Sequence, residues 1–163
     1  MPERGARFGG HPVHPALVSF PIGLWIFSLA ADLVRGLGGG PVWRDVALYA
    51  LGAGIVGALI AAVPGFIDYL SITDARVRDI AVAHMVTMLV VLGVFASSFW
   101  LRWVGSQGAL PVALSALGVA LLGVGAWLGG EMVFVHGQGM AAHTLRKIDS
   151  REETGPPRSR VAC

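Results

Sequence analysis

Charged residues are scarce in this chain and are confined to a few segments. They make up 13 % of the 163 residues, whereas a soluble domain is about a quarter charged because its surface faces water. Apolar residues reach 55 %, and the mean hydropathy is +0.68. This composition argues against an ordinary soluble protein and predicts that most of the surface faces lipid.

Several signatures of catalysis are also absent. The sequence has no phosphate-binding glycine loop, no nucleophile elbow and no His-Glu-x-x-His or Glu-x-x-His pair, so hydrolase and kinase chemistry is not expected. Nothing resembles a nucleic-acid-binding surface. The single cysteine, Cys163, allows no internal disulfide. We expect an electron-transfer or binding protein rather than a stand-alone enzyme.

Four long apolar segments are present instead. Three of them contain no Asp, Glu, Lys or Arg: Val46 to Ile67, Ile80 to Leu101 and Leu110 to Gly130. At roughly 1.5 Å per helical residue, each reaches about 30 Å, the thickness of the hydrocarbon core. The first segment, Pro15 to Leu37, contains Pro21, which predicts a kink or a short turn before it. A cleaved signal peptide is the alternative for this segment. We expect an all-α transmembrane four-helix bundle, up-down-up-down, with the first helix kinked near Pro21.

The basic residues predict the orientation of this bundle. Four spans place both termini on one side, and nine of the 12 basic residues fall there, against Arg35, Arg44 and Arg102 on the other side. The positive-inside rule therefore predicts cytoplasmic termini in the cell inner (plasma) membrane. Residues 1–145 would form the transmembrane domain with its leader, and residues 146–163 a basic, disordered cytoplasmic tail.

Four of the five histidines fall on the side of the termini. His11 and His14 precede the first segment, His84 lies one turn inside the third, and His136 closes the fourth. Imidazole ligates haem iron and transition metals, and a histidine at membrane depth is costly unless it is bonded. Because prolines follow His11 and His14, we expect both on extended backbone. Alternatively, His84 bonds Asp68 or a carbonyl of a neighbouring helix, and His136 is an exposed histidine at a helix end.

Small residues line two of the spans at helical spacing. The second span carries Gly54, Gly57, Ala61 and Pro64 on one face, and the fourth carries Gly125-x-x-x-Gly129. Such faces predict close helix packing, and they would also admit a flat cofactor or a homodimer. No inverted repeat is apparent, so transport is poorly supported.

Three hypotheses follow for the histidines. The first is a b-type haem ligated by two of them, with His84 and His136 favoured and with His11 and His14 serving propionates, a quinone or the second shell. The second is a zinc, copper or iron ion held by residues from His11, His14, His84, His136 and Asp68. The third is an unliganded structural or interaction protein. The partner in every case is the lipid bilayer, joined under the first hypothesis by a quinone or a redox protein.

The motifs of the chain resemble those of a known family. They are the doubled His-Pro opening followed by Leu17 to Gly23, the Gly-x-x-Asp of Gly65 to Asp68, the in-span His84, and the ending Trp127-Leu128-Gly129-Gly130 through His136-Gly137-Gln138-Gly139. This combination is similar to the "domain of unknown function 2231" family of predicted four-span bacterial membrane proteins, from about Gly10 to Met140. The family has no established activity. The fusion of relatives to Rieske-type or c-type cytochrome domains implies a setting in electron transfer.

Overall fold

Four long helices make up most of the structure. A computed structural model describes residues 5–9, 11–106 and 108–138. Its helices are α1 (Val13–Gly36), α2 (Val42–Leu70), α3 (Ala75–Trp103) and α4 (Ala109–Gly130), and a π-helical turn, Glu131–Val135, continues α4. All four helices are long and apolar enough to cross a membrane. The prediction of a helical four-span membrane protein is confirmed.

Local sequence explains where several helices begin and end. The carboxylate of Asp74 caps α3 by accepting hydrogen bonds from the amides of Arg76 at 2.8 Å and Val77 at 3.2 Å. A glycine with positive φ follows both α1 and α3, namely Gly38 at +98° and Gly105 at +89°. A glycine adopts this left-handed conformation without the steric cost of a Cβ, so both helices stop there.

The first helix begins earlier than the sequence suggested. Because α1 starts at Val13, His14 lies in its first turn, and the expectation of extended backbone at His14 is wrong. Pro15 is accommodated there since a first-turn amide has no intrahelical acceptor. The helix continues through Pro21, which rules out a turn before that residue. The kink at Pro21 stays a prediction.

The leader folds back on the end of the bundle. Strand β1 (Arg7–Phe8) pairs antiparallel with β2 (His11–Pro12), so His11 has the extended backbone that its proline predicted. The amide of Ala6 donates a 2.6 Å hydrogen bond to Oδ1 of Asp68, near the end of α2. The leader is thereby attached to the same end of the bundle as α1.

The bundle consists of two similar halves. The most extensive helix contacts are those of α1 with α2 and of α3 with α4. Equivalent positions lie 70 residues apart in α1 and α3 and 64 residues apart in α2 and α4. In α1 and α3 they are His14 and His84, Trp25 and Phe95, Ser28 and Ser98, and Asp32 and Arg102. In α2 and α4 they are Ala47 and Pro111, Gly54 and Gly118, Ala61 and Gly125, and Gly65 and Gly129.

Hydrogen bonds between the helices support this equivalence. The hydroxyl of Ser28 donates to the carbonyl of Ala47 at 2.8 Å, and the hydroxyl of Ser98 donates to the carbonyl of Pro111 at 2.7 Å. All four residues are buried. The same side chain therefore makes the same interhelical bond in each half.

Aromatic packing shows the same relationship. Gly54 faces the indole of Trp25, and Gly118 faces the ring of Phe95, with no space for a Cβ at either glycine. The rings of Trp25 and Phe95 also stack on each other, with centroids 4.3 Å apart. Because equivalent residues meet here, an approximate two-fold axis runs along the bundle between α1 and α3. The repeat is parallel, which is why a search for an inverted repeat missed it.

The small-residue faces are used within the chain. Gly57 packs against Phe20, and Gly125 packs against Met88. The prediction that these faces allow close helix packing is confirmed. A homodimer through them stays a prediction.

Candidate functional site

His14 is held between α1 and α2. Its Nδ1 lies 2.8 Å from the carbonyl oxygen of Ala61, and because a carbonyl can only accept, Nδ1 is the donor. Gly65 lies one turn further along α2, where an added Cβ would come within 2.8 Å of the imidazole. The ring therefore rests against helix backbone.

His84 repeats this arrangement in the second half. Its Nδ1 donates to the carbonyl oxygen of Gly125 at 2.9 Å, and an added Cβ at Gly129 would lie 3.3 Å from its Cε1. The proposed hydrogen bond from His84 to a carbonyl of a neighbouring helix is confirmed. The carboxylate of Asp68 is used elsewhere, since it accepts from the amide of Ala6.

The two bonds determine what the rest of each ring can do. When Nδ1 of a neutral imidazole carries the proton, Nε2 presents a lone pair. Within the part of the chain that the structure describes, neither His14 nor His84 has a hydrogen-bond partner at Nε2. An electrostatic interaction joins the two half-buried residues. The fold thus brings two equivalent imidazoles, each with an available lone pair, to one end of the axis.

The other two histidines that the sequence pointed to lie outside this pair. His11 is exposed, and its Nδ1 lies 3.1 Å from the carbonyl of Gly9. His136 is also exposed and follows the π-helical turn. It is seven residues beyond Gly129, or about 10 Å along a helix. This placement agrees with the alternative of an exposed histidine at the helix end.

Metal-ligating residues do not form a larger cluster in the described segments. Among residues 5–9, 11–106 and 108–138, no group of three or more His, Cys, Asp or Glu side chains is placed to hold one metal ion. His11, His14, His84, His136 and Asp68 all belong to these segments, so they do not converge as a set. His143, Cys163 and the predicted tail at 146–163 lie outside the described residues.

A second polar cluster lies at the opposite end of the axis. Arg102 and Asp32 form a buried bidentate ion pair, with N···O distances of 2.6 and 2.7 Å. Arg102 also donates to the hydroxyls of Ser98 and Ser115 at 3.2 and 3.1 Å. Sequence reasoning paired Asp32 with Arg35, three residues along the helix, and missed Arg102. The available signal was that positions 32 and 102 have the same 70-residue separation as the two histidines.

Comparison with known proteins identifies a family without an assigned activity. No curated protein and no solved structure matches the chain. A family model described as "Predicted membrane protein (DUF2231)" matches residues 10–142. The matched region contains both halves of the bundle, both histidines of the pair and the Asp32–Arg102 ion pair. Since it covers most of the sequence, this chain belongs to the DUF2231 family of predicted membrane proteins.

Proposed function

We propose that this protein is a membrane electron-transfer protein that binds a b-type haem between His14 and His84. The observation that carries the proposal is that both Nδ1 atoms donate to backbone carbonyls, those of Ala61 and Gly125. Such bonds orient an imidazole and leave Nε2 as the ligating atom. His14 takes the place of His136 as the second ligand because His136 is exposed beyond the π-helical turn.

The residues around the pair fit a flat macrocycle. The ligands come from α1 and α3, and the two helices without ligands carry glycines beside the rings, Gly65 and Gly129. Four-helix bundles bind cofactors in this way, through side chains of facing helices. Small residues on the other helices leave space for the edges of the ring system. When bound, a bis-imidazole haem supplies reversible one-electron exchange.

The position of the pair limits the role to one face of the membrane. Asp32 and Arg102 lie 18 residues further along their helices, or about 27 Å away along the axis. By the distribution of basic residues we place the histidines on the cytoplasmic side of the inner membrane. A single haem there does not carry electrons across the bilayer. We therefore propose exchange with a quinone or a redox protein at that face.

An absorption spectrum of the purified protein tests the proposal. The detergent-extracted chain should show a Soret band that sharpens and shifts when dithionite is added. His14→Ala and His84→Ala should each abolish the normal band, because each removes one ligand. His11→Ala and His136→Ala serve as matched controls and should keep it. Size-exclusion chromatography of each variant separates loss of haem from loss of the fold.

Other results point to the competing hypotheses. If His136→Ala abolishes the band and His14→Ala keeps it, the ligands are His84 and His136. A colourless protein with stoichiometric zinc, copper or iron would replace the haem proposal by a non-haem metal site. A colourless, metal-free protein from cells that produce haem would leave a structural or interaction role.

A further inference from the structure

The two halves of the bundle have nearly interchangeable inner faces. On both α1 and α3 the axis is lined by a histidine, an aromatic ring and a serine at equivalent positions, and the burial of the two helices follows the same pattern. Two surfaces that are so similar could each pair with a copy of themselves. Something must therefore direct an α1–α2 pair to an α3–α4 pair.

The charges at one equivalent position break this similarity. Asp32 occupies in α1 the place that Arg102 occupies in α3, and the two side chains meet across the axis. Both are less than 10 % exposed. If two α1 helices met in the same way, two carboxylates would face each other in a low-dielectric environment, and two α3 helices would bring two guanidinium groups together. Like charges at such distances are strongly unfavourable.

The second half is also adapted to hold the cation. The guanidinium of Arg102 receives support from Ser98 and Ser115 of its own half. The position in α2 equivalent to Ser115 is occupied by Leu51, which is fully buried in the apolar core. The difference between the halves thus extends beyond one residue, and it prepares the second half alone to present a buried arginine.

We propose that Asp32 and Arg102 determine which helix pairs associate. The inner face of α1–α2 accepts an α3–α4 pair, which its own chain supplies, and it rejects a second copy of itself. The inference is independent of the haem proposal, because it concerns the opposite end of the bundle. It also predicts that a chain with the wrong charge at one of these positions can be completed by a second chain with the opposite charge.

Charge reversal in the full-length chain tests this. Asp32→Arg places two arginines on the axis, and Arg102→Asp places two aspartates there, so each variant alone should lose most of its folded monomer. When the two variants are co-expressed with different affinity tags, each chain carries the charge that the other lacks. They should co-purify as a 1:1 complex formed by exchange of halves through the Ser71–Asp74 connection.

Two controls distinguish partner choice from general stabilisation. The double variant Asp32→Arg/Arg102→Asp reverses the pair within one chain and should recover a monomer, less stable than the original because Leu51 cannot replace Ser115. Asp45→Arg changes the same charge at an exposed position of α2 and should not rescue Arg102→Asp. Folded, monomeric single variants or the absence of co-purification would overturn the proposal.

Discussion

Trp25 and Phe95 stack at the centre of the bundle, with ring centroids 4.3 Å apart and ring planes inclined by 18°. The two residues are equivalent in the two halves, and their contact lies between the histidine pair at one end of the axis and the Asp32–Arg102 pair at the other. Each ring is backed by a glycine, Gly54 or Gly118. The same design of an aromatic ring on a glycine thus appears twice and meets itself in the middle.

The indole of Trp25 contains an exception to good hydrogen bonding. Among the described residues, its Nε1 is the one buried side-chain N or O atom without a partner, and an unsatisfied buried donor costs about 1–3 kcal/mol. Trp25→Phe removes this cost while keeping a ring, so the free energy of unfolding should change by less than about 1 kcal/mol. Trp25→Ala should lower it by about 3–5 kcal/mol. Denaturation in mixed micelles, followed by circular dichroism, measures both, and a large loss for Trp25→Phe would show that the N–H is satisfied.

Gly118 and Gly123 of α4 provide a matched pair of substitutions. An added Cβ at Gly118 would lie 2.7 Å from Cζ of the buried Phe95, whereas at Gly123 nothing lies within 4 Å. Gly118→Ala should lower the free energy of unfolding by about 1–3 kcal/mol through overpacking. Gly123→Ala should leave it unchanged or raise it by up to about 1 kcal/mol, because alanine favours the helix. Equal effects of the two substitutions in the same denaturation assay would contradict the packing described for α4.

The four spans were predictable because lipid imposes a simple requirement. Charge-free runs long enough to cross the membrane are rare outside spans, so Ile80 to Leu101 pointed directly to α3 and Leu110 to Gly130 to α4. The small-residue faces were predictable for a related reason, since helical spacing shows which residues share a face. Both inferences depend on one segment at a time.

The candidate site was only partly predictable because it depends on pairs of segments. His84 was identified from its depth in the third span, but His14 was assigned to extended backbone, and His136 was preferred as a ligand. Contacts between α1 and α3 have no short-range signal in the sequence, so Asp32 was matched with nearby Arg35 rather than Arg102. The repeat was hidden because few equivalent residues are identical and the two helix pairs have different offsets.

Ser98 should be more important for stability than its exposed neighbour Ser97. The hydroxyl of Ser98 bonds the carbonyl of Pro111, the hydroxyl of Ser115 and Nε of Arg102, all in a buried environment. Ser98→Ala leaves these groups with fewer partners, and the free energy of unfolding should fall by about 1–3 kcal/mol. Ser97→Ala removes only a bond to a carbonyl of its own helix and should change it by less than about 0.5 kcal/mol. Similar values for the two variants in thermal or denaturant unfolding would argue against the network.

Asp68 should control whether the leader stays attached to the bundle. Its carboxylate accepts the amide of Ala6 at 2.6 Å, and a hydrogen bond to a charged group contributes about 1.5–3 kcal/mol. Asp68→Ala should therefore speed hydrogen–deuterium exchange of the Ala6 amide by about tenfold or more. Asp68→Asn keeps an acceptor oxygen and should have a smaller effect. Asp79→Ala, which removes an exposed carboxylate from α3, should leave the exchange unchanged. If Asp79→Ala has the same effect as Asp68→Ala, net charge rather than this bond holds the leader in place.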